Sequence, residues 1–162
     1  MNTAFGSSRP INWVKRRYRP VVDPAGVPVA VTQICPMQGS GSKAQLILFD
    51  DGRKYVVKFK GNIQGPRVLP NELIASRLAM LLGVPVGEFE VVRVPQMFID
   101  FEPDMARRPF VGGLQFGSLF YEKAVASPTQ TRLEKLNNPS LLGSIVVFDH
   151  LINNWDRSCH GD

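Results

Sequence analysis

Cysteine is scarce in this 162-residue sequence, which has only Cys35 and Cys159. Two thiols cannot frame a chain of this size with disulfides, so a disulfide-built secreted domain is excluded and a reducing, cytoplasmic setting is expected. Uncharged apolar runs are short as well, and none nears the ~20 residues of a membrane-spanning helix. Asn2 to Pro10 is small and polar, not basic and then apolar, so no secretory leader is read there. Histidine is limited to His150 and His160. Together with the two cysteines these show no zinc-ligand spacing, and no metal site is expected from them. Internal repeats and low-complexity tracts are missing too. Acidic residues are absent from the first twenty positions, which instead carry Arg9, Lys15, Arg16, Arg17 and Arg19.

What remains is an ordinary composition, 44% hydrophobic and 20% charged, fitting one soluble domain with a substantial core. The net charge of +5 belongs entirely to the N-terminal arm, because the rest of the chain balances to zero. Such an arm suits an acidic or nucleic-acid partner contacted through residues 9–19. It equally suits a solvated start to the fold. Ile11, Trp13, Val14 and Tyr18 supply apolar surface that would dock on the domain itself, and docking is the favoured expectation.

Hydrophobic patterning organises the remainder. Val27 to Cys35 is rich in β-branched residues, and the flexible Gln38-Gly39-Ser40-Gly41-Ser42 follows it. Ala44 to Phe49 and Arg53 to Lys60 read as two strands joined by Asp50-Asp51-Gly52, a strong hairpin signal. On the second of these, Tyr55, Val57 and Phe59 share one face, and Val56, Lys58 and Lys60 share the other. A helix is predicted from Pro70-Asn71 to Gly83, with Leu73, Ile74, Leu78, Leu81 and Leu82 as its apolar stripe. Glu72, Ala75, Ser76 and Ala79 form a separate, small-residue face. Glu88 to Pro95 and Gln96 to Asp100 read as strands, and Phe101 to Pro139 reads as irregular. Ser140 opens a last helix to about Asn153, with Leu141, Leu142, Ile145, Val146, Phe148 and Leu151 expected inside. Cys35 reads as a small core residue.

The order of these pieces carries chemistry. A glycine loop lets backbone N–H groups approach phosphates closely. A lysine set in an apolar strand, Lys58, presents a point charge at a fixed height. A carboxylate early on the next helix, Glu72, can hold that lysine. A P-loop is excluded, because Gly41-Ser42-Lys43-Ala44 lacks the required Gly-Lys-Ser/Thr. Near the end, Asp156 follows a buried helix, where an aspartate can accept a proton from a substrate hydroxyl.

These residues resemble the HipA-like kinases, bacterial relatives of the protein-kinase and phosphoinositide-kinase superfamily. The likeness rests on Tyr55-Val56-Val57-Lys58-Phe59, on Leu69-Pro70-Asn71-Glu72-Leu73-Ile74-Ala75, on Leu82-Gly83-Val84-Pro85-Val86 and on Asp149 to Arg157. It spans roughly Val27 to Asp162. The resemblance implies an ATP site in which Gly39, Ser40, Gly41 and Ser42 cover the phosphates, Lys58 contacts them, Glu72 pairs with Lys58 and Asp156 is the catalytic base. It also implies Mg²⁺, a protein substrate and serine/threonine phosphorylation. The family's metal-binding Asn does not follow Asp156 within the sequence, so the chain reads as the front part of such a kinase, inactive by itself with weak or absent ATP–Mg²⁺ binding.

The expectation is therefore an α+β fold. A basic arm (1–20) precedes a kinase-like N-lobe (21–110), with an antiparallel sheet of about five strands and a packed helix. A linker and the first helix of a C-lobe (111–162) complete it. The rival readings are a non-catalytic interaction module and a small nucleic-acid-binding protein using the arm. The balanced charge beyond residue 20 weakens the second of these.

Overall fold

A computed structural model describes residues 26–124 and 138–154. The basic arm, Trp13, Tyr18, Asp156, Cys159 and His160 lie outside the described residues. Strands β1 (Ala30–Pro36), β2 (Gln45–Phe49) and β3 (Lys54–Lys60) lead into helix α1 (Val68–Leu81). Strand β4 (Phe89–Val94), the short helices α2 (Gln96–Phe101) and α3 (Pro103–Ala106) and strand β5 (Val111–Leu119) follow, and α4 (Ser140–Leu151) comes last. The five strands form one sheet in the order β1-β2-β3-β5-β4, with every neighbouring pair antiparallel. With α1 inserted between the third and fourth strands, this is an α+β, kinase-like N-lobe.

The sheet curls. Pro28 C=O accepts a hydrogen bond from Arg93 N–H at 2.8 Å, and Val29 bridges Arg93, so the chain just before β1 lies against β4 at the far edge. Inside the curl sit Ile47, Phe49, Tyr55, Val57, Phe59, Val92 and Val94. Alternation along β3 puts Tyr55, Val57 and Phe59 on this side, as the period of two requires. Ile99 of α2, Met105 of α3 and Phe110 close the opening, and Phe110 stacks on Phe59 with ring centroids 4.5 Å apart. Apolar burial of this kind contributes roughly 25 cal/mol per Å² removed from water.

Several expectations are corrected. Gln96 to Phe101 is helical, not a strand. The Gln96 side chain explains it: its amide donates to Asp100 Oδ1 one turn on, and its Oε1 accepts from Gly112 N–H at 2.7 Å. The supposedly irregular stretch contains β5, an interior strand between β3 and the edge strand β4, which carries the sheet past residue 110. Gly117 packs tightly there, since a Cβ would meet Tyr55 and Val92 side chains at 3.2 Å and crowd them. A register shift between Lys58 and Lys60 opens the β3–β5 ladder. Gln115, buried, repairs it by accepting from Lys60 N–H at 2.9 Å and donating to Val111 C=O at 2.6 Å.

Helix α1 begins at Val68, two residues before the expected start, so Pro70 falls in the first turn, where a missing N–H costs nothing. Glu72 consequently stands in the second turn. The leucine stripe does not become core: Ile74, Leu81 and Leu82 are exposed, and Ala79 is the buried residue of the helix. The same holds for α4, where Phe148 is buried while Leu142, Val146 and Leu151 are exposed. Cys35 is exposed on β1 because the strand's outward positions face solvent, so it is not a core residue.

Candidate functional site

Lys58 lies on the outer face of β3, opposite the sealed core. Directly across from it on β5 is Phe116, which is buried and stacks on Phe89 at 5.7 Å. The lysine therefore shares its face of the sheet with this aromatic pair. Its ammonium donates to Glu72 Oε1 of α1, and the two side chains keep relative exposures of 25% and 34%. The small side chains of Ala75, Ser76 and Ala79, at helical spacing from Glu72, let α1 come close enough for this contact.

A cleft of about 560 Å³ opens beside the pair, walled by α1, the Val84–Val86 turn and the end of α4. Both helices bordering it stop with the same backbone device. In α1, Gly83 takes φ +70°, its N–H bonds to Met80 C=O at 3.2 Å and Val84 N–H bonds to Ala79 C=O at 2.9 Å. In α4, Asn153 takes φ +55°, its N–H bonds to His150 C=O at 3.2 Å and Asn154 N–H bonds to Asp149 C=O at 2.8 Å. This is the Schellman arrangement, which satisfies the orphan carbonyls of a helix end. Asn tolerates the left-handed conformation better than other non-glycine residues. The Asn154 side chain adds a bond to Asp149 Oδ1 at 2.9 Å. Asp149, Asn153 and Asn154 thus line the cleft with Lys58 and Glu72.

The glycine loop sits at the end of β3 that leads away from the β2–β3 hairpin. Met37 N–H bonds to Ala44 C=O at 2.9 Å and closes it, and Gly39 turns the chain with φ +69°. Ser40 accepts from Ala44 N–H at 3.2 Å, and its hydroxyl lies 3.1 Å from that of Ser42. Ser42 is buried and Gly41 is exposed. Gly39 to Ser42 do not line the cleft, which lies on the α1 and α4 side of Lys58.

Of the site residues expected from sequence, Lys58 and Glu72 are brought into contact, and the glycine loop stands apart from the cleft. Asp156 lies outside the described residues, and Asn154, the last residue described before it, lines the cleft. Asn71 and Asp149 were missed as lining residues. Their signals were available, since Asn71 adjoins Glu72 and Asp149 precedes Asn154 by five positions.

The strand order, the inserted helix and the strand-to-helix ion pair together make a kinase-like N-lobe. A family model described as HipA-like kinase matches residues 32–162, and the chain belongs to that family. No curated protein and no solved structure gives a significant match.

Proposed function

We propose that this chain is the ATP-binding lobe of a HipA-like serine/threonine protein kinase. The observation that carries the reading is the Lys58–Glu72 pair, formed across the strand–helix gap on the open face of the sheet. A carboxylate at that point fixes the ammonium in one place, where it meets the α- and β-phosphate oxygens as a point charge. Gly39 to Ser42 cover the phosphates from the β1–β2 turn, and Asp156 takes the proton of the substrate hydroxyl. The protein substrate is bound in a cytoplasmic setting, and residues 9–19 offer a contact for an acidic partner.

The residues present fit a nucleotide: an ammonium held by a carboxylate and a glycine turn at the same end of β3. They do not by themselves fit the metal. Among the described residues no three His, Cys, Asp or Glu side chains converge. Mg²⁺ in such kinases neutralises charge on the transferring phosphate. Nucleotide binding is the activity that this reading assigns to the lobe.

Titrating ATP into the chain at up to millimolar concentration, with thermal stability and amide NMR shifts as readouts, tests the reading. ATP should raise the melting temperature and shift resonances of β3 and the glycine loop. Lys58→Met should weaken this at least about tenfold, the loss of a charge-assisted bond being worth about 1.5–3 kcal/mol. A Lys58→Met chain that binds ATP as the parent does would overturn the assignment.

A further inference from the structure

Folding separates charges that balance along the chain beyond its basic arm. Three connections crowd together at the end of the sheet that β3 reaches last: the glycine loop, the loop from β3 to α1 and the link from α3 to β5. A Cβ on Gly61 would stand 1.9 Å from Pro109 C=O, so the second and third meet backbone to backbone. A Cβ on Gly41 would stand 2.8 Å from Gln64 Nε2, so the first lies against the second. Together they bring Lys43, Lys60, Arg67, Arg107 and Arg108 to one end of the lobe and supply no carboxylate of their own. Lys43, Lys60, Arg67 and Arg107 are exposed, Arg108 is partly exposed, and none of the five forms an ion pair among the described residues. The flanking carboxylates are Asp104, one turn before Arg107, and Glu72, which Lys58 already holds, so the cations stay in excess. The hairpin end of β3 is different. There Lys54 is bonded to Glu122 at 2.7 Å, and Asp51 accepts from Arg53 N–H and from the Tyr55 hydroxyl.

Like charges gathered in one place repel each other, and a field of one sign serves to attract and orient a partner of the other. We infer that this end of the lobe seats an acidic stretch of the protein substrate. This rests on the ATP reading above: the glycine loop that covers the phosphates is itself part of the basic surface, so an acidic stretch bound there lies beside the group to be transferred. The substrate class is then a hydroxyl flanked by aspartates or glutamates. A polypeptide suits the surface better than a nucleic acid does. Ile63, 70% exposed, stands among the cations and offers apolar contact to side chains. Phe110, the aromatic residue of these three connections, is buried in the core, which leaves no ring there for a base to stack on.

The test is fluorescence anisotropy of short labelled probes on the full chain: a serine flanked by glutamates, the same peptide with glutamines, and a DNA duplex. ATP is titrated into the same samples and into Lys58→Met. The glutamate peptide should bind about tenfold more tightly than the glutamine one, and the preference should shrink as salt rises, because exposed charges are screened. Arg67→Gln and Arg107→Gln should each weaken it about two- to fivefold, the range of one exposed charge pair. Arg67→Glu, Arg107→Glu and Arg108→Glu combined should abolish the preference, and the two glutamine variants carry the test if that triple variant fails to fold. Arg16→Gln with Arg17→Gln, in the arm, should cost less than Arg67→Gln with Arg107→Gln. Equal affinity for the two peptides in a parent chain that binds ATP would overturn this inference and leave the ATP site standing. So would a preference that only the arm variant removes, or tighter binding of the duplex than of the glutamate peptide. Equal ATP binding by the parent and Lys58→Met would remove the ATP site and the substrate seat with it, whatever the peptides do.

Discussion

On the inner face of the sheet, Val57, Phe59, Val92 and Val94 have no solvent exposure, and Ile99 and Met105 seal them from the side. On the outer face, Lys58 keeps a quarter of its side chain in solvent, and α1 buries only Ala79 while Ile74 and Leu81 stand exposed. The same strand, β3, serves both faces through simple alternation. Its inner residues carry stability, and its outer ones carry charge. This division places a lysine–glutamate pair on a surface that the core holds rigid, without demanding that the pair itself stabilise anything. A half-exposed ion pair is worth little to folding, commonly below about 1 kcal/mol. Its value lies in presentation.

The contrast can be broken or sharpened by substitution. Phe59→Ala should be the costliest change, about 3–5 kcal/mol, because it opens a void beside Phe110 that the curled sheet cannot collapse. A urea midpoint shift reports it, and a loss under about 1 kcal/mol would show that the inner face is not the dominant core. Gly117→Ala follows at about 1–3 kcal/mol, from overpacking against Tyr55 and Val92. The same denaturation series should show an unchanged slope with a lower midpoint.

Alkaline titration probes the rim of the core. The Tyr55 hydroxyl is pushed up to about 12, chiefly by burial and then by its hydrogen bond to Asp51 at 2.8 Å. The folded protein thus keeps a proton that the unfolded chain releases near pH 10. Stability from this group is complete below pH 10 and falls as pH rises from about 10 towards about 12. Tyr55→Phe should flatten that part of the stability–pH curve, and an unchanged slope would remove Tyr55 as its source. The smallest effect belongs to the outer face. Ile74→Ser, at a position 63% exposed, should change stability by no more than about 0.5 kcal/mol. A larger loss would mean that α1 is packed more tightly than its exposure implies.

Much of this arrangement is legible in the residues. The β2–β3 hairpin follows from Asp51-Gly52, where Gly52 takes φ +74°. The Lys58 and Glu72 meeting follows from strand alternation and a small-residue helix face. Interior strand β5 was hidden because Gly112, Gly113 and Gly117 mimic a loop. In fact Gly112 and Gly117 are spaces for Gln96 and for Tyr55 with Val92, contacts that exist only after folding. The leucines of α1 misled in the opposite sense. Periodicity names an apolar face, but it does not say which face the sheet will choose, and here the helix turned its small residues inward.

The curl of the sheet has a consequence for how copies of this protein meet. A free strand edge invites another chain to continue the ladder. The β4 edge is partly occupied where Pro28 and Val29 reach Arg93. The β1 edge carries exposed Val31 and Ile34, a combination that would favour stacking. Its regular run is interrupted, however, by register shifts between Ala30 and Thr32 and between Gln33 and Cys35, and it finishes at Pro36. An approaching strand would find too few evenly spaced partners to zip along. The lobe is thereby fenced at both margins against fibrous growth, and the fence is made from irregularities that would look like flaws in an ideal sheet.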